Sequence, residues 1–139
     1  MVVYGVLLKG KLDKLEFIGK DANVVDYKTG DPDKSKERLQ SLNDDSKNGG
    51  DYWRQAVFYK ILIDNDRSLD WEVVSTIFDF VEPVSEGEYY KEKIVITPED
   101  TYEVTEQIKS VYQKILAHDF DTGCGKKEGD WCHFVKSNF

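Results

Sequence analysis

Cysteine is scarce in this chain of 139 residues, with 2 in all, so no disulfide scaffold can hold the fold and a packed core must. No apolar run approaches the length of a membrane span. The amino terminus lacks the basic-then-apolar pattern of a signal peptide, and the expectation is a soluble, cytoplasmic protein with no membrane partner. Positive charge is also short, since 19 Lys and Arg face 27 Asp and Glu for a net charge of −8. Autonomous binders of nucleic acid usually carry a basic footprint, and this balance argues against tight unaided binding to a polyanion. There is no internal repeat, no phosphate-cradling glycine loop and no serine-histidine-aspartate pattern, which sets aside solenoids, P-loop enzymes and serine hydrolases. What is present suits one globular domain over residues 1–139: 40% of residues are hydrophobic and 13% aromatic, and the length suffices for a core without staples.

The chemistry-bearing residues cluster in two extended arms. In Lys11-Leu12-Asp13-Lys14-Leu15-Glu16-Phe17, alternation puts Asp13, Leu15 and Phe17 on one face and Leu12, Lys14 and Glu16 on the other. In Val24-Val25-Asp26-Tyr27-Lys28-Thr29-Gly30, Asp26 and Lys28 share a face. A turn lies between the arms in Ile18-Gly19-Lys20-Asp21-Ala22-Asn23. A two-residue loop at Lys20-Asp21 predicts the pairs Phe17 with Val24, Leu15 with Asp26 and Asp13 with Lys28. Asp13 and Asp26 then become diagonal neighbours roughly 7 Å apart, able to converge on one cation. A slip of one residue would turn them to opposite faces.

Two carboxylates offer hard oxygen ligands suited to magnesium or manganese, and a neighbouring lysine can orient water or stabilise charge on a phosphate. The set matches metal-assisted phosphodiester hydrolysis. On spacing alone, an ordinary ion pair between Asp26 and Lys28 on a solvated hairpin is an equal reading. Gln55 and Tyr59, four residues apart on a predicted helix over Asp51–Ile63, share a face. Asp51 is the expected cap of that helix, whose apolar residues run nearly all round and predict burial against a sheet.

Gly10-Lys11-Leu12-Asp13, Asp26-Tyr27-Lys28-Thr29-Gly30 and Gln55-Ala56-Val57-Phe58-Tyr59, in that order, closely resemble the motifs of the PD-(D/E)xK nuclease superfamily. The likeness is to its RecB-like branch, found at the ends of bacterial helicase-nuclease proteins. By that resemblance Asp13 fills the first acidic position, Asp26 the second, Lys28 is the catalytic lysine, and Gln55 and Tyr59 form the QxxxY motif that approaches the site and the DNA. Asp13, Asp26 and the main-chain carbonyl of Tyr27 would hold Mg2+ or Mn2+. The resemblance implies a restriction-endonuclease-like α/β core, a mixed twisted sheet with flanking helices, and a DNA exonuclease acting in recombination or repair with a fused or associated helicase. Family members usually have a helix before the first core strand. This chain starts at Met1-Val2-Val3-Tyr4 and runs into Val6-Leu7-Leu8, so the expectation is a fragment of a larger protein without that helix. A rival of another class is a catalytically inactive module that keeps the fold to bind DNA or a partner.

Cys124 and Cys132 resemble the cysteine-bearing tail of the same branch, where some members hold an iron-sulfur cluster on four cysteines. Two cysteines imply no cluster here. With His133 adjacent, C-x7-C-H lacks the usual short zinc spacing, and structural or free thiols are expected.

Residues 31–50 are polar, end in Gly49-Gly50, and read as a mobile loop beside a substrate channel, with Lys36-Glu37-Arg38-Leu39 able to form a helical turn. Lys9, Lys11, Lys14, Lys34, Lys36 and Arg38 read mostly as solvated charges. Strands are predicted over Trp71–Val81 and Lys91–Thr97. A helix then starts at Thr97-Pro98, with Val104, Ile108, Val111, Tyr112, Ile115 and Leu116 as its buried stripe and His118 at its charged end.

Overall fold

Two short hairpin arms open the chain, β1 (Val2–Val3) and β2 (Val6–Leu7), joined by Tyr4 and Gly5, both at positive φ. Two such residues in a two-residue loop make the type I′ turn that fits the twist of paired strands. The expected run of this segment into a core strand is therefore corrected: β1 and β2 pair with each other as a separate two-stranded sheet. A computed structural model describes residues 2–84 and 87–119. Cys124, Cys132 and His133 lie outside them.

The main sheet has four strands in the order β3 (Lys14–Ile18), β4 (Asp21–Lys28), β5 (Glu72–Phe80) and β6 (Tyr90–Val95). Outer pairs are antiparallel and the central pair β4–β5 is parallel, giving the mixed α/β sheet that was expected. A parallel pair needs a long crossover, and here it runs through residues 31–50 and the helix α1 (Asp51–Asp64). The same crossover passes two 3-10 turns, Asp33–Ser35 and Glu37–Leu39, the second within the predicted Lys36–Leu39 turn.

The β3–β4 register differs from the expectation by two residues: Leu15 opposes Val24, Phe17 opposes Ala22 and Ile18 opposes Asp21. The loop is Gly19-Lys20, with Gly19 at φ +64. Glycine at the first central position is the type II′ signal, and it outranks the Lys20-Asp21 loop that the flanking residues suggested. Because the shift is even, every side chain keeps its predicted face. Asp13, one residue before the ladder, now comes into line with Asp26 rather than with Lys28.

Ala22, Val24 and Asp26 of β4 with Thr76, Phe78 and Phe80 of β5 are buried on the face that α1 covers. Tyr52, Trp53, Ala56, Val57, Tyr59, Ile61 and Ile63 are buried around α1, as its all-round apolar pattern predicted. The other face buries Asn23, Val25 and Ser75 and leaves Tyr27 and Val95 exposed. Asp51 is not the cap of α1. Gly50 holds that position in extended conformation, and the Asp51 side chain is the first of the helix proper.

The chain divides into two units, Met1–Thr105 and Glu106–Phe139. Helix α2 (Pro98–Leu116) begins in the first. Its capping box is complete, since the Asp100 N–H donates to Thr97 Oγ1 at 3.1 Å and the Thr97 N–H to Asp100 Oδ2 at 2.9 Å. The predicted stripe is buried only at Val104; Val111, Ile115 and Leu116 are more than half exposed. The buried positions Val104 and Thr105 are the last residues of the first unit. At the far end His118 takes φ 54, with the His118 N–H on Ile115 O at 3.1 Å and the Asp119 N–H on Lys114 O at 2.8 Å. That is a Schellman ending with histidine where glycine is usual. No helix among the described residues is long and apolar enough to cross a membrane.

A Cβ built on Gly50 would lie 2.2 Å from the Arg38 carbonyl oxygen. Gly50→Ala has no torsional objection at φ −70, so its cost is overlap alone, and a loss of about 1–3 kcal/mol is expected in urea unfolding.

Candidate active site

Strand parity brings Asp26 and Lys28 to the α1 face, and helical period brings Tyr52, Gln55 and Tyr59 to one stripe of α1 opposite them. A closed ring of hydrogen bonds results. The Tyr59 hydroxyl donates to Asp26 Oδ2 at 2.5 Å, and Lys28 Nζ sits 2.9 Å from Asp26 Oδ1. Lys28 Nζ donates to Gln55 Oε1 at 2.7 Å, and Gln55 Nε2 donates back to the Tyr59 hydroxyl at 2.8 Å. The ion pair is not a solvated one, with side-chain exposures of 15% for Lys28 and 6% for Asp26.

Burial pushes the Tyr59 phenol above its ordinary range, reinforced by the hydrogen bond to Asp26 and by the charges of Asp26 and Asp13. The phenol therefore stays a donor across the physiological range. Beneath the ammonium lie two rings, Tyr52 with its centroid 4.5 Å from Nζ and Phe78 at 5.3 Å. Cations over aromatic faces gain about 0.5–2 kcal/mol depending on desolvation.

Asp13 joins from the strand edge, its Oδ2 accepting the Tyr27 N–H at 3.0 Å. The geometry of the ladder explains why. Lys28 O accepts from the Val81 N–H on the β5 side, so the polar groups of Tyr27 point the other way, where β3 has ended. Asp13 takes the place of the missing ladder acceptor. The Tyr27 side chain stays exposed, and its main-chain carbonyl faces the same edge as Asp13.

All the sequence-predicted site residues thus gather at one end of β4: Asp26, Lys28, Gln55 and Tyr59 bonded together, Asp13 tied to Tyr27 beside them. Two groups went unread. Tyr52 was not singled out, though it lies three residues before Gln55 on the same stripe. Arg38 was read as a solvated charge, yet it forks onto Asp51 and packs on the Tyr52 ring. Its signal was weak, because a loop residue carries no period.

The donors suit a hard cation. A carboxylate has about four lone-pair sites, and Tyr59 and Lys28 occupy two on Asp26, leaving the others for a ligand. Among the described residues no group of three His, Cys, Asp or Glu side chains is placed to hold a metal. The set fits magnesium or manganese, which keep several waters, rather than an ion that needs an all-protein cage.

Fold and site together define an α/β domain with a mixed sheet and a buried carboxylate locked to a lysine at the end of one strand. A family model described as the PD-(D/E)XK nuclease superfamily matches residues 2–136, and the chain belongs to that superfamily. Its sheet is accordingly the restriction-endonuclease-like core expected from the motifs. No curated protein and no solved structure matches the chain.

Tyr59→Phe leaves Asp26 Oδ2 and Gln55 Nε2 without a buried partner, and a loss of about 1–3 kcal/mol is expected in denaturant unfolding. The raised phenol also gives pH dependence. A group whose folded pKa lies above its unfolded value stabilises fully below the unfolded value, near pH 10 for tyrosine, and less as pH rises beyond it. The wild type should lose stability above about pH 10 more steeply than Tyr59→Phe, read by unfolding at a series of alkaline pH values.

Proposed function

We propose that this domain is a metal-dependent deoxyribonuclease in which Asp13, Asp26, Lys28, Gln55 and Tyr59 form the active site. The observation that carries the reading is the placement of Lys28 between Asp26 Oδ1 and Gln55 Oε1. An ammonium has three donors, and these two contacts leave the third for a water or a phosphate oxygen. Asp13, Asp26 and the Tyr27 carbonyl would hold Mg2+ or Mn2+, which supplies charge neutralisation and a more acidic bound water.

The protein's own groups do the rest. Lys28 orients the attacking water or meets charge building on the phosphate, in a site that needs no reorganisation at that moment. Gln55 fixes the ammonium from one side and Asp26 from the other. Tyr59, kept protonated, donates to Asp26 Oδ2 and fixes the orientation of the carboxylate that would hold the metal.

The order of DYKTG and QxxxY motifs supports the RecB-like branch, and with it exonuclease-type cleavage in recombination or repair beside a helicase. The net charge of −8 supports the same arrangement, in which a motor or other partner holds the DNA. It also favours the second reading, a nuclease fold retained only for binding DNA or a partner.

Asp26→Asn keeps an acceptor for Tyr59 and so keeps the fold, while Lys28→Gln removes the charge. Both should cut Mn2+-dependent DNA cleavage by about 10²-fold or more, assayed at a temperature where the variant is folded, and both should lower the melting temperature because the remaining charge stays buried without its counter-ion. Cleavage retained in Lys28→Gln would sink the assignment, and DNA binding without cleavage in the wild type would favour the second reading.

A further inference from the structure

Tyr52 links the site lysine to the crossover loop. Its ring, 8% exposed, stacks on Phe78 with centroids 5.4 Å apart and an interplanar angle of 24°. Lys28 Nζ lies 4.5 Å from its centroid, and the Arg38 guanidinium carbon lies 3.8 Å from the same centroid. One Arg38 nitrogen also donates to the Tyr52 hydroxyl at 2.7 Å.

Arg38 is itself held on two further sides. Its Nε donates to Asp51 Oδ1 at 2.8 Å and Oδ2 at 3.1 Å, and a terminal nitrogen donates to Oδ2 at 2.5 Å. Its backbone is jammed against Gly50, where even a methyl group would collide, and the Gly50 N–H donates to Gln40 O at 2.8 Å. The Asp51 carboxyl is drawn below its ordinary range, first by the hydrogen bond from Arg38.

We infer that Arg38 is a positioning residue for Lys28: acting through the Tyr52 ring, it fixes where the lysine ammonium sits and couples the 31–50 loop to the site. A lysine stem is flexible, and the ring beneath it is one wall of its slot. That wall has Phe78 packed on it, and Arg38 sets its outer end. Only a planar guanidinium can meet a ring, a hydroxyl and both oxygens of a carboxylate together. Asp51 is the anchor of the arrangement, which gives the first residue of α1 a purpose other than capping. The inference rests on the nuclease reading for what Lys28 does, and on geometry alone for where Lys28 is held.

The test uses Arg38→Gln in the full chain with two readouts, steady-state kinetics of Mn2+-dependent DNA cleavage and NMR of the Lys28 ε-methylene protons. In the wild type these protons should be shifted upfield by the Tyr52 ring. Arg38→Gln is expected to move them toward the free-lysine position and to lower kcat about ten- to hundredfold with KM nearly unchanged. Asp51→Asn should do the same in kind, and Arg38→Lys should not rescue. Unmoved ε-proton signals in Arg38→Gln would overturn the inference, as would a raised KM at constant kcat, which would make Arg38 a phosphate contact. Moved signals with no cleavage even in the wild type would uphold the positioning role and reject the nuclease reading instead. If Arg38→Gln does not fold, Tyr52→Phe removes only the hydroxyl that Arg38 grips and carries the same two expectations.

Discussion

A carboxylate buried to 4% exposure is expensive unless its oxygens are bonded, and the rest of this molecule is arranged around that requirement at Asp26. Water cannot supply the partners, so β4 and α1 must. Tyr59 takes one oxygen, Lys28 the other, and Gln55 closes the ring between them. Each partner is itself costly to bury alone, which makes the four groups a unit: loss of one leaves the others unpaired.

Backbone geometry sets this unit with few free choices. The period of two along β4 fixes Asp26 and Lys28 on the α1 face, and the period of α1 fixes Tyr52, Gln55 and Tyr59 facing them. The end of β3 leaves the Tyr27 N–H without a ladder partner, and Asp13 answers it from the adjoining residue. A second acid is thereby placed beside the first by a strand ending. On the other side, Gly50 lets the crossover loop close against α1. The acidic pair, the lysine and the loop are thus parts of one packing solution.

Much of this was legible in the chain. Alternation in DYKTG placed Asp26 and Lys28 together, and the four-residue spacing of Gln55 and Tyr59 placed them on one stripe. Strand and helix extents came close because Trp71–Val81 is rich in β-branched and aromatic residues and Thr97-Pro98 is a strong helix start. The β3–β4 register was missed because the loop was placed at Lys20-Asp21, one residue late, when a glycine at position 19 favours a turn that begins there. Asp51 was misread because an acid at a helix start is usually a cap, and its attachment to Arg38 spans 13 residues of loop.

Everything proposed for this site depends on Asp26 holding a cation. Calorimetric titration of Mn2+ into the chain, beside Asp26→Ala, tests it most directly. The wild type should bind Mn2+ and the variant should not. Equal binding in both, or none in either, would contradict it.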